Sequence, residues 1–322
     1  MLKNKSILIT GAAGFIGSHL FETLIREDNY ITIIDNFNDY YPGKEKQVED
    51  ITKNYDILKE YEIIKGDLVN KDIFTKIGRK IDIIFHLAAQ AGVRYSIKNA
   101  AEVTQNNIIS TVNILEYALK NNVNKTVYAS SSSVYGNPIY TPCDEEHPKN
   151  PISPYAVSKL VGELYADYYF REYGLPVTSS RFYTVYGPRG RPDMAIRMFF
   201  NLMIEDKEII IFGDGKQLRD FTYVSDIVNG LILSAEKNES SGENFNLGCS
   251  NPITVNELVD KMYFITKKPK KMEYVGKQQG DVDVTHSNTD KAKKLLGYYP
   301  QVKIDEGLKR QYDWQIDYLK SI

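Results

Sequence analysis

The residues with the chemistry of an active site fall into two short groups, a run of serines and a tyrosine–lysine pair. Four serines occupy positions 130–133 within VYASSSSVYG, and SPYAVSK places Tyr155 four residues before Lys159. Helical residues four apart share one face. A tyrosine has a pKa of about 10 and is a poor base at neutral pH, but a nearby cation stabilises its phenolate. We therefore predict that Tyr155 is the general acid–base of an alcohol–ketone interconversion and that Lys159 lowers its pKa.

The elements around these residues decide whether they act together, since serines are common in turns and Tyr–Lys pairs on helix surfaces. A helix from Tyr155 to Tyr173 is predicted, because Ser153 can cap it and Pro154 suits its first turn. The run Lys125–Ala129 predicts a buried strand that leads into the serines.

The first 35 residues predict a nucleotide-binding unit. Ser6–Thr10 is a β-branched apolar run typical of a buried parallel strand. It enters a turn with three glycines, Gly11, Gly14 and Gly17. A helical pattern over 18–26 and a second strand ending at Asp35 follow. Such glycines let a pyrophosphate approach a helix N-terminus, and an acid about 20 residues later can bind the adenine ribose. Asn36, and not arginine, follows the acid, which favours NAD over NADP.

Strand and helix patterns continue to alternate. Apolar runs at 61–64 and 81–85 lead to GDL (66–68) and HLAA (86–89), and a helical pattern covers 102–121. Repeated strand–helix units predict an α/β fold with a Rossmann-type doubly wound parallel sheet. Ligands of such sheets lie beyond the carboxyl ends of the strands, where the serines are.

The second half predicts a smaller α/β substrate-binding lobe. A strand over 176–183 leads into a Gly/Pro-rich loop over 184–193. Further elements are expected at 209–212 and 219–223 (strands), 244–247 (a strand that rejoins the sheet), and 255–264 and 291–296 (helices). We therefore expect an NAD-binding domain at 1–180 plus about 224–252, and a lobe at 181–223 and 253–322. Segment 39–60 is polar and is interpreted as a surface insertion over the cofactor.

The composition disfavours several classes of protein. A net charge of −2 with a pI near 6.2 and no charged block argues against nucleic-acid or membrane partners. No run of 18 apolar residues is present. Cys143 and Cys249 are far apart and the four histidines lack metal-ligand spacing, so neither disulfides nor a metal site is expected. We expect a soluble protein with a cytoplasmic location.

The sequence resembles the extended short-chain dehydrogenase/reductases, in particular the nucleotide-sugar epimerases. The similarity covers nearly the whole chain and rests on TGAAGFIG, Asp35, GDL, HLAA, the serine run and YAVSK. It implies NAD as cofactor, a UDP-sugar as substrate, and a homodimer packed through the helices near 102–121 and 155–173. It also implies a catalytic set of Ser131, Ser132, Tyr155 and Lys159.

The motifs and the resemblance together predict the binding residues. Those for the cofactor are Gly11, Gly14, Phe15, Ile16, Gly17, Asp35, Asn36, Asp67, Leu68, Leu87, Ala88, Ala89, Gln90, Asn106 and Lys159. Those for the substrate are Ser131, Ser132, Ser133, Tyr155, Thr184, Arg94, Arg191, Arg219, Asp281 and Thr285. By resemblance, Asn106 belongs to the structural and active-site network and Arg219 binds the diphosphate.

The serine run also indicates the type of reaction. Related dehydratases resemble Thr-Asp-Glu at these positions and decarboxylating xylose synthases resemble Thr-Ser-Glu, whereas this chain has Ser131, Ser132 and Ser133. The run thus lacks an acid for elimination at C5. Hydride transfer at C4 remains, followed by rotation of a 4-keto sugar and return of the hydride to its other face.

The choice of sugar rests on resemblance. AAQAGVRYS (88–96), FYTVYGPRGRPDMA (182–195) and GDVDVTHSN (280–288) are most similar to UDP-glucuronate 4-epimerases. Thr184 stands where UDP-galactose epimerases usually have Asn, and Arg94, Arg189 and Arg191 are candidate partners of a carboxylate. UDP-N-acetylglucosamine is a close second, because the serine run and SPYAVSK equally resemble its epimerases. Another nucleotide-sugar oxidoreductase, a dehydratase or a decarboxylase, and a non-catalytic NAD sensor are the alternatives.

Overall fold

The structure is a computed structural model that describes residues 2–54, 61–278 and 280–320. The strands are β1 (Ser6–Thr10), β2 (Tyr30–Asp35), β3 (Tyr61–Lys65), β4 (Ile83–His86), β5 (Lys125–Ser131), β6 (Val177–Phe182), β7 (Thr184–Tyr186), β8 (Ile209–Phe212), β9 (Leu218–Arg219), β10 (Phe221–Tyr223), β11 (Asn244–Leu247), β12 (Ile253–Thr254) and β13 (Met272–Val275). The helices are α1 (Phe15–Ile25), α2 (Lys44–Asn54), α3 (Val93–Lys98), α4 (Ala100–Thr104), α5 (Ser110–Lys120), α6 (Pro154–Tyr173), α7 (Ala195–Ile204), α8 (Val224–Glu236), α9 (Val255–Thr266), α10 (Asp290–Leu296) and α11 (Ile304–Lys320). Short 3-10 turns cover Lys71–Lys76, Ser132–Tyr135 and Asn238–Ser240, and a π-helical turn covers Gln105–Ile109.

Seven parallel strands form the central sheet in the order β11-β6-β5-β4-β1-β2-β3. The chain builds outward from β1 in one direction through β2 and β3, and from β4 in the other through β5 and β6. The order therefore reverses between β1 and β4, where a doubly wound sheet opens a crevice for its ligand. The predicted Rossmann-type fold is confirmed.

Alternate residues of β1 enter two different hydrophobic clusters. Ile7 and Ile9 belong to a cluster that continues to Phe200 of α7 and Leu258 of α9, while Leu8 belongs to one that includes Ile114 of α5. Because successive strand side chains point to opposite faces, both faces of the sheet are covered by helices. The shared first cluster fixes the C-terminal helices on the sheet. None of the described helices is long and apolar enough to cross a membrane.

Several sequence expectations differ from the structure. The helix predicted over 102–121 is interrupted by the π-helical turn, where the hydroxyl of Thr111 donates to the carbonyl of Asn107 at 2.7 Å. The loop predicted over 184–193 begins with β7, which pairs in parallel with β10 after the chain crosses over through α7, β8 and β9. The strand expected over 219–223 is divided into β9 and β10, and β8 pairs with β13.

The interpreted insertion 39–60 contains α2. Gln47 of this helix donates from Nε2 to the carbonyl oxygens of Ala13 and Gly14, each at 3.3 Å. The helix therefore packs against the glycine turn. The remaining part of the segment, 55–60, lies outside the described residues.

Candidate active site

The glycine turn after β1 is closely packed. Gly11 has φ +73°, and a Cβ there would lie 2.7 Å from the backbone nitrogen of Ala88. A Cβ on Gly17 would lie 2.1 Å from the carbonyl oxygen of Gly11. These positions require glycine, and they bring the positive end of the α1 dipole to the crevice between β1 and β4.

Asp35 at the end of β2 is fixed by two backbone donors. Its Oδ1 accepts from the nitrogen of Phe37 at 2.9 Å, and its Oδ2 accepts from the nitrogen of Ala13 at 3.0 Å. Burial raises the pKa of this carboxyl, and the two hydrogen bonds oppose that shift. The acid thus ties the glycine turn to the second strand at the place predicted for the ribose.

A cavity along the carboxyl ends of the strands contains all the predicted cofactor-binding residues: Gly11, Gly14, Phe15, Ile16, Gly17, Asp35, Asn36, Asp67, Leu68, Leu87, Ala88, Ala89, Gln90, Asn106 and Lys159. The residues fit NAD, because the backbone is closely accessible at the glycines and Asp35 lies at the ribose position. Gln90 adds a further observation: its buried Nε2 has no hydrogen-bond partner within the described ranges and lies in this cavity.

The sequence interpretation missed part of this cavity. Asn38, Tyr40, Tyr41 and Lys44 also line it. The Nζ of Lys44 donates to the carbonyl of Asn38 at 2.7 Å. These residues lie at the start of the segment interpreted as an insertion, and the signal was their position directly after Asp35.

Asn106 lines the cavity, but the side-chain network at the π-helical turn is made by its neighbour. The Nδ2 of Asn107 donates to the hydroxyl of Ser158 at 2.9 Å, and its Oδ1 accepts from the nitrogen of Gln90 at 2.7 Å. Asn107 thus connects α6 to the loop after β4, and the role expected for Asn106 stays a prediction.

The strand β5 extends into the serine run, and the serines of this run make different contacts. Ser130 is buried and donates to Glu163, whose carboxylate receives two hydrogen bonds from Arg181, both 2.8 Å. Ser131 ends the strand, and its Oγ accepts from the nitrogen of Ser133 at 3.2 Å. Ser130 therefore anchors the run, and all four serines line a second cavity.

Tyr155 and Lys159 face this strand end from the first turns of α6. The side chains of Tyr155 and Ser131 both line the second cavity, and the Ser131 hydroxyl acts to lower the pKa of Tyr155. The Nζ of Lys159 lies 5.8 Å from the centre of the Tyr155 ring and donates to the carbonyl of Ala129 at 2.7 Å. The predicted acid–base pair and the serine run therefore meet in one place.

The electrostatics of this pair differ from the expectation. Burial raises the pKa of Tyr155, while the charge of Arg191 and the hydrogen bond from Ser131 oppose the shift. Burial lowers the pKa of Lys159 to about 7, with Glu163 opposing. Lys159 directs its ammonium at a backbone carbonyl, so Arg191 is the cation in the structure that lowers the pKa of Tyr155.

The second cavity contains nine of the ten predicted substrate-binding residues: Ser131, Ser132, Ser133, Tyr155, Thr184, Arg191, Arg219, Asp281 and Thr285. Arg94 is not part of its lining. Its guanidinium pairs with Asp281 at 3.1 Å and lies 4.8 Å from the ring centre of Phe212. Arg94 therefore contacts two residues that line the substrate cavities, Asp281 and Phe212, and its part in the site stays a prediction.

The other two candidate arginines, Arg189 and Arg191, point to different parts of the structure. Arg189 faces α1, where it contacts His19 and Glu22. Arg191 lines both cavities and pairs with Asp193 through Nε at 3.0 Å and Nη2 at 3.2 Å. Arg191 is thus the candidate arginine at the junction between the cofactor and substrate positions.

A third cavity adjoins the second and shares Arg219 and Asp281 with it. Lys277 and Gln278 also line it. Arg219 donates from Nη1 to the carbonyl of Leu218 at 2.9 Å, and burial lowers its pKa while nearby carboxylates oppose this. The three cavities form one continuous path from the glycine turn to the C-terminal part of the chain.

Comparison with known proteins identifies the family. A model described as the NAD dependent epimerase/dehydratase family matches residues 7–248. The chain belongs to this family. The predicted family and the NAD cofactor are thereby confirmed.

Relatives of known activity match over almost the full length. A UDP-glucuronate 4-epimerase of Thermodesulfobacterium geofontis is 39% identical, covering 98% of each chain. The UDP-glucuronic acid 4-epimerase of Bacillus cereus, solved with UDP-glucuronic acid and NAD, is 34% identical with a TM-score of 0.89, covering 97% of this chain and 99% of that one. A UDP-N-acetylglucosamine 4-epimerase of Methanobrevibacter ruminantium, solved with UDP-N-acetylmuramic acid, is 31% identical with a TM-score of 0.90, covering 98% and 100%.

Proposed function

We propose that the protein is an NAD-dependent UDP-glucuronate 4-epimerase that inverts C4 through a transient 4-keto sugar. An isomerase that acts on a UDP-sugar is supported by all three relatives, and NAD is supported by the family and by the Bacillus cereus structure. The observation that carries the proposal is the contact of Tyr155 with Ser131 at the junction of the two cavities, beside a run without acids. This set can move a proton at a sugar hydroxyl but supplies no carboxyl for elimination.

Each residue of this set has a defined part in the mechanism. Bound NAD supplies the acceptor and the donor of the hydride at C4. Tyr155 removes the proton from O4 and later returns it, while Ser131 hydrogen-bonds O4 and relays the proton. Lys159 and Arg191 provide positive charge near the phenolate. Ser132, Ser133 and Thr184 bind the sugar.

The sugar and its diphosphate occupy the second and third cavities in this proposal. Arg191 binds the C6 carboxylate, since a guanidinium fork suits a carboxylate and this one lies at the cavity junction. Arg219 binds the diphosphate, supported by its place in both substrate cavities.

UDP-N-acetylglucosamine is the second candidate substrate. Thr285 is small, and its Oγ1 accepts from the nitrogen of Asp220 at 3.0 Å, which holds the side chain against the cavity wall. This leaves room for an acetamido group on the sugar. The Methanobrevibacter ruminantium relative supports this alternative.

We also infer that the NAD-binding domain comprises residues 1–180 plus about 224–252 and that the remaining residues form the substrate-binding lobe. We further infer that the protein is a homodimer. The strand β11 supports the division by joining the sheet beside β6. The homodimer is supported by one face of α6, where Val157, Leu164 and Tyr168 are 45%, 60% and 43% exposed. These residues are seven and four apart and thus form a continuous apolar stripe.

Turnover of the two candidate sugars tests the function. The purified protein is incubated with UDP-glucuronate or with UDP-N-acetylglucosamine without added cofactor, and the epimers are separated by anion-exchange chromatography. We expect UDP-galacturonate from the first. Turnover of UDP-N-acetylglucosamine alone would assign the second substrate, and carbon dioxide or net reduction of the cofactor would overturn both.

Isotope labelling tests the 4-keto step. With deuterium at C4 of UDP-glucuronate, the product should keep the label, because the same hydrogen leaves and returns. In heavy water, C4 and C5 should gain none. Deuterium at C5 would instead indicate chemistry at that carbon and contradict the proposed mechanism.

A further inference from the structure

Arg189 holds an uncommon backbone conformation in the loop between β7 and α7. Its φ is +61°, a left-handed value that a residue with a side chain rarely adopts. Its side chain is only 14% exposed, although the residue lies in a loop. Such strain persists where surrounding contacts hold the backbone in place.

The contacts that hold Arg189 come from α1. Its Nη2 donates to Nδ1 of His19 at 2.7 Å and pairs with Glu22. The Nε2 of His19 donates to the carbonyl of Pro188 at 2.8 Å. Burial and the charge of Arg189 lower the pKa of His19 to about 3, which keeps the ring neutral for both roles. The loop and α1 are thus joined by a closed set of hydrogen bonds.

The loop is fixed to the C-terminal part of the chain at other points. The nitrogen of Gly187 donates to Gln311 of α11 at 2.9 Å, and Arg197 of α7 donates to the carbonyl of Gly190. Arg189 connects the same loop to α1, whose first residues Phe15 and Ile16 line both the cofactor and substrate cavities. The loop therefore bridges the two parts of the site.

The group carried by this bridge is Arg191, two residues further on. A change of the backbone at Arg189 moves Arg191 relative to Tyr155, because a single residue, Gly190, separates Arg189 from Arg191. A second hydrogen bond, from the hydroxyl of Tyr40 to Asp193 at 3.2 Å, holds the loop on the C-terminal side of Arg191.

We propose that Arg189 is a positioning residue for sugar selectivity: through His19 and Glu22 it fixes Arg191 where a carboxylated sugar is distinguished from a neutral one. This inference rests on the proposed function, which gives Arg191 the carboxylate. It assigns to α1 a second role, since the helix that begins at the nucleotide-binding turn also places the selectivity arginine.

The variant Arg189→Gly tests the proposal, because glycine adopts φ +61° without strain and the side chain is lost without added backbone strain. Calorimetry on the NAD-loaded protein compares the Kd of UDP-glucuronate with that of UDP-glucose. We expect the preference for UDP-glucuronate to fall about tenfold, with the Kd of UDP-glucose changed less than about twofold. Arg189→Lys should restore part of the preference, and Arg26→Ala is the control, since Arg26 pairs with the same Glu22 but lies directly after α1 and not in the loop.

A double variant separates positioning from a general structural effect. In an Arg191→Ala background, Arg189→Gly should change the preference less than about twofold, because the group it positions is already gone. An additive loss there, an equal weakening of both ligands, or no effect of Arg189→Gly would overturn the proposal. If the unchanged protein shows no preference for UDP-glucuronate and does not epimerise it, the proposed substrate fails, and this outcome is visible before any variant is made.

Discussion

Tyr155 needs help from its neighbours to act as a base, because burial raises its pKa. The structure supplies that help through Ser131 and Arg191, while Lys159 is buried against the carbonyl of Ala129. In the proposed mechanism, proton transfer and sugar recognition therefore share one arginine, Arg191. Two expectations for single residues follow.

The substitution Tyr155→Phe should reduce turnover by at least about 100-fold, since it removes the group that exchanges a proton with O4. NAD content and the midpoint of thermal unfolding should stay close to those of the unchanged protein, because the ring remains in place. Turnover is measured by separation of the epimers, and NAD is released and quantified by absorbance. Substantial remaining activity would show that another residue is the base.

The substitution Arg191→Ala should shift the pH dependence of kcat. Arg191 lowers the pKa of Tyr155, so its removal raises that pKa and the fraction of phenolate falls at a given pH. The acidic limb of the profile should move upward by about half to one pH unit at saturating substrate. An unchanged limb would mean that Arg191 does not influence the base.

Among the secondary-structure elements, the turn between β1 and α1 tolerates the least change. A methyl group at Gly17 would lie 2.1 Å from the carbonyl oxygen of Gly11, so α1 must move away from the strand. The position of the dipole end that faces the cofactor depends on this distance.

Gly17→Ala should therefore lose most of its bound NAD and about 1–3 kcal/mol of stability. Gly78→Ala is a matched control, since a Cβ there meets nothing within 4 Å. NAD content and urea unfolding report the two effects. Retention of NAD by Gly17→Ala would show that the turn can relax.

The buried pair of Glu163 and Arg181 joins α6 to β6 beneath the serine run, with side chains 4% and 1% exposed. Arg181→Met leaves the Glu163 carboxylate buried without its partner and should cost about 3–5 kcal/mol in the free energy of unfolding. Changing both residues to Met should cost clearly less than the sum of the two single changes. Urea unfolding of the four proteins tests this, and additive losses would contradict a direct pairing.

The apolar stripe on α6 should determine whether the complete chain forms a dimer. Leu164→Glu places a charge in the middle of the stripe and should convert a dimer into a monomer, as measured by light scattering after gel filtration. Phe264→Glu is the control, because Phe264 is 85% exposed but lies on α9, away from the stripe. If Leu164→Glu leaves the mass unchanged, the inferred interface is wrong.

Local sequence patterns predicted the elements and residues that depend on backbone chemistry. The runs Ser6–Thr10 and Asn244–Leu247 form strands with the predicted bounds, and every predicted cofactor-binding residue lines the cofactor cavity. What the sequence patterns did not predict depends on distant contacts. The position of Arg94 is set by Asp281, 187 residues away, and that of Lys44 by the way α2 packs on the glycine turn. No spacing along the chain contains that information.

The division within the serine run has a consequence for how this protein can change. Ser130 is held by its hydrogen bond to Glu163, whereas Ser132 and Ser133 belong to a 3-10 turn at the cavity wall. Substitutions at the latter two positions leave the hydrogen bond between Ser130 and Glu163 intact, and at Ser133 they remove only the hydroxyl that donates to Ser131. Mutations at the two adjacent codons for Ser132 and Ser133 can therefore select new reactions with little loss of folding stability. This short turn is thus an evolutionarily adaptable part of an otherwise constrained site.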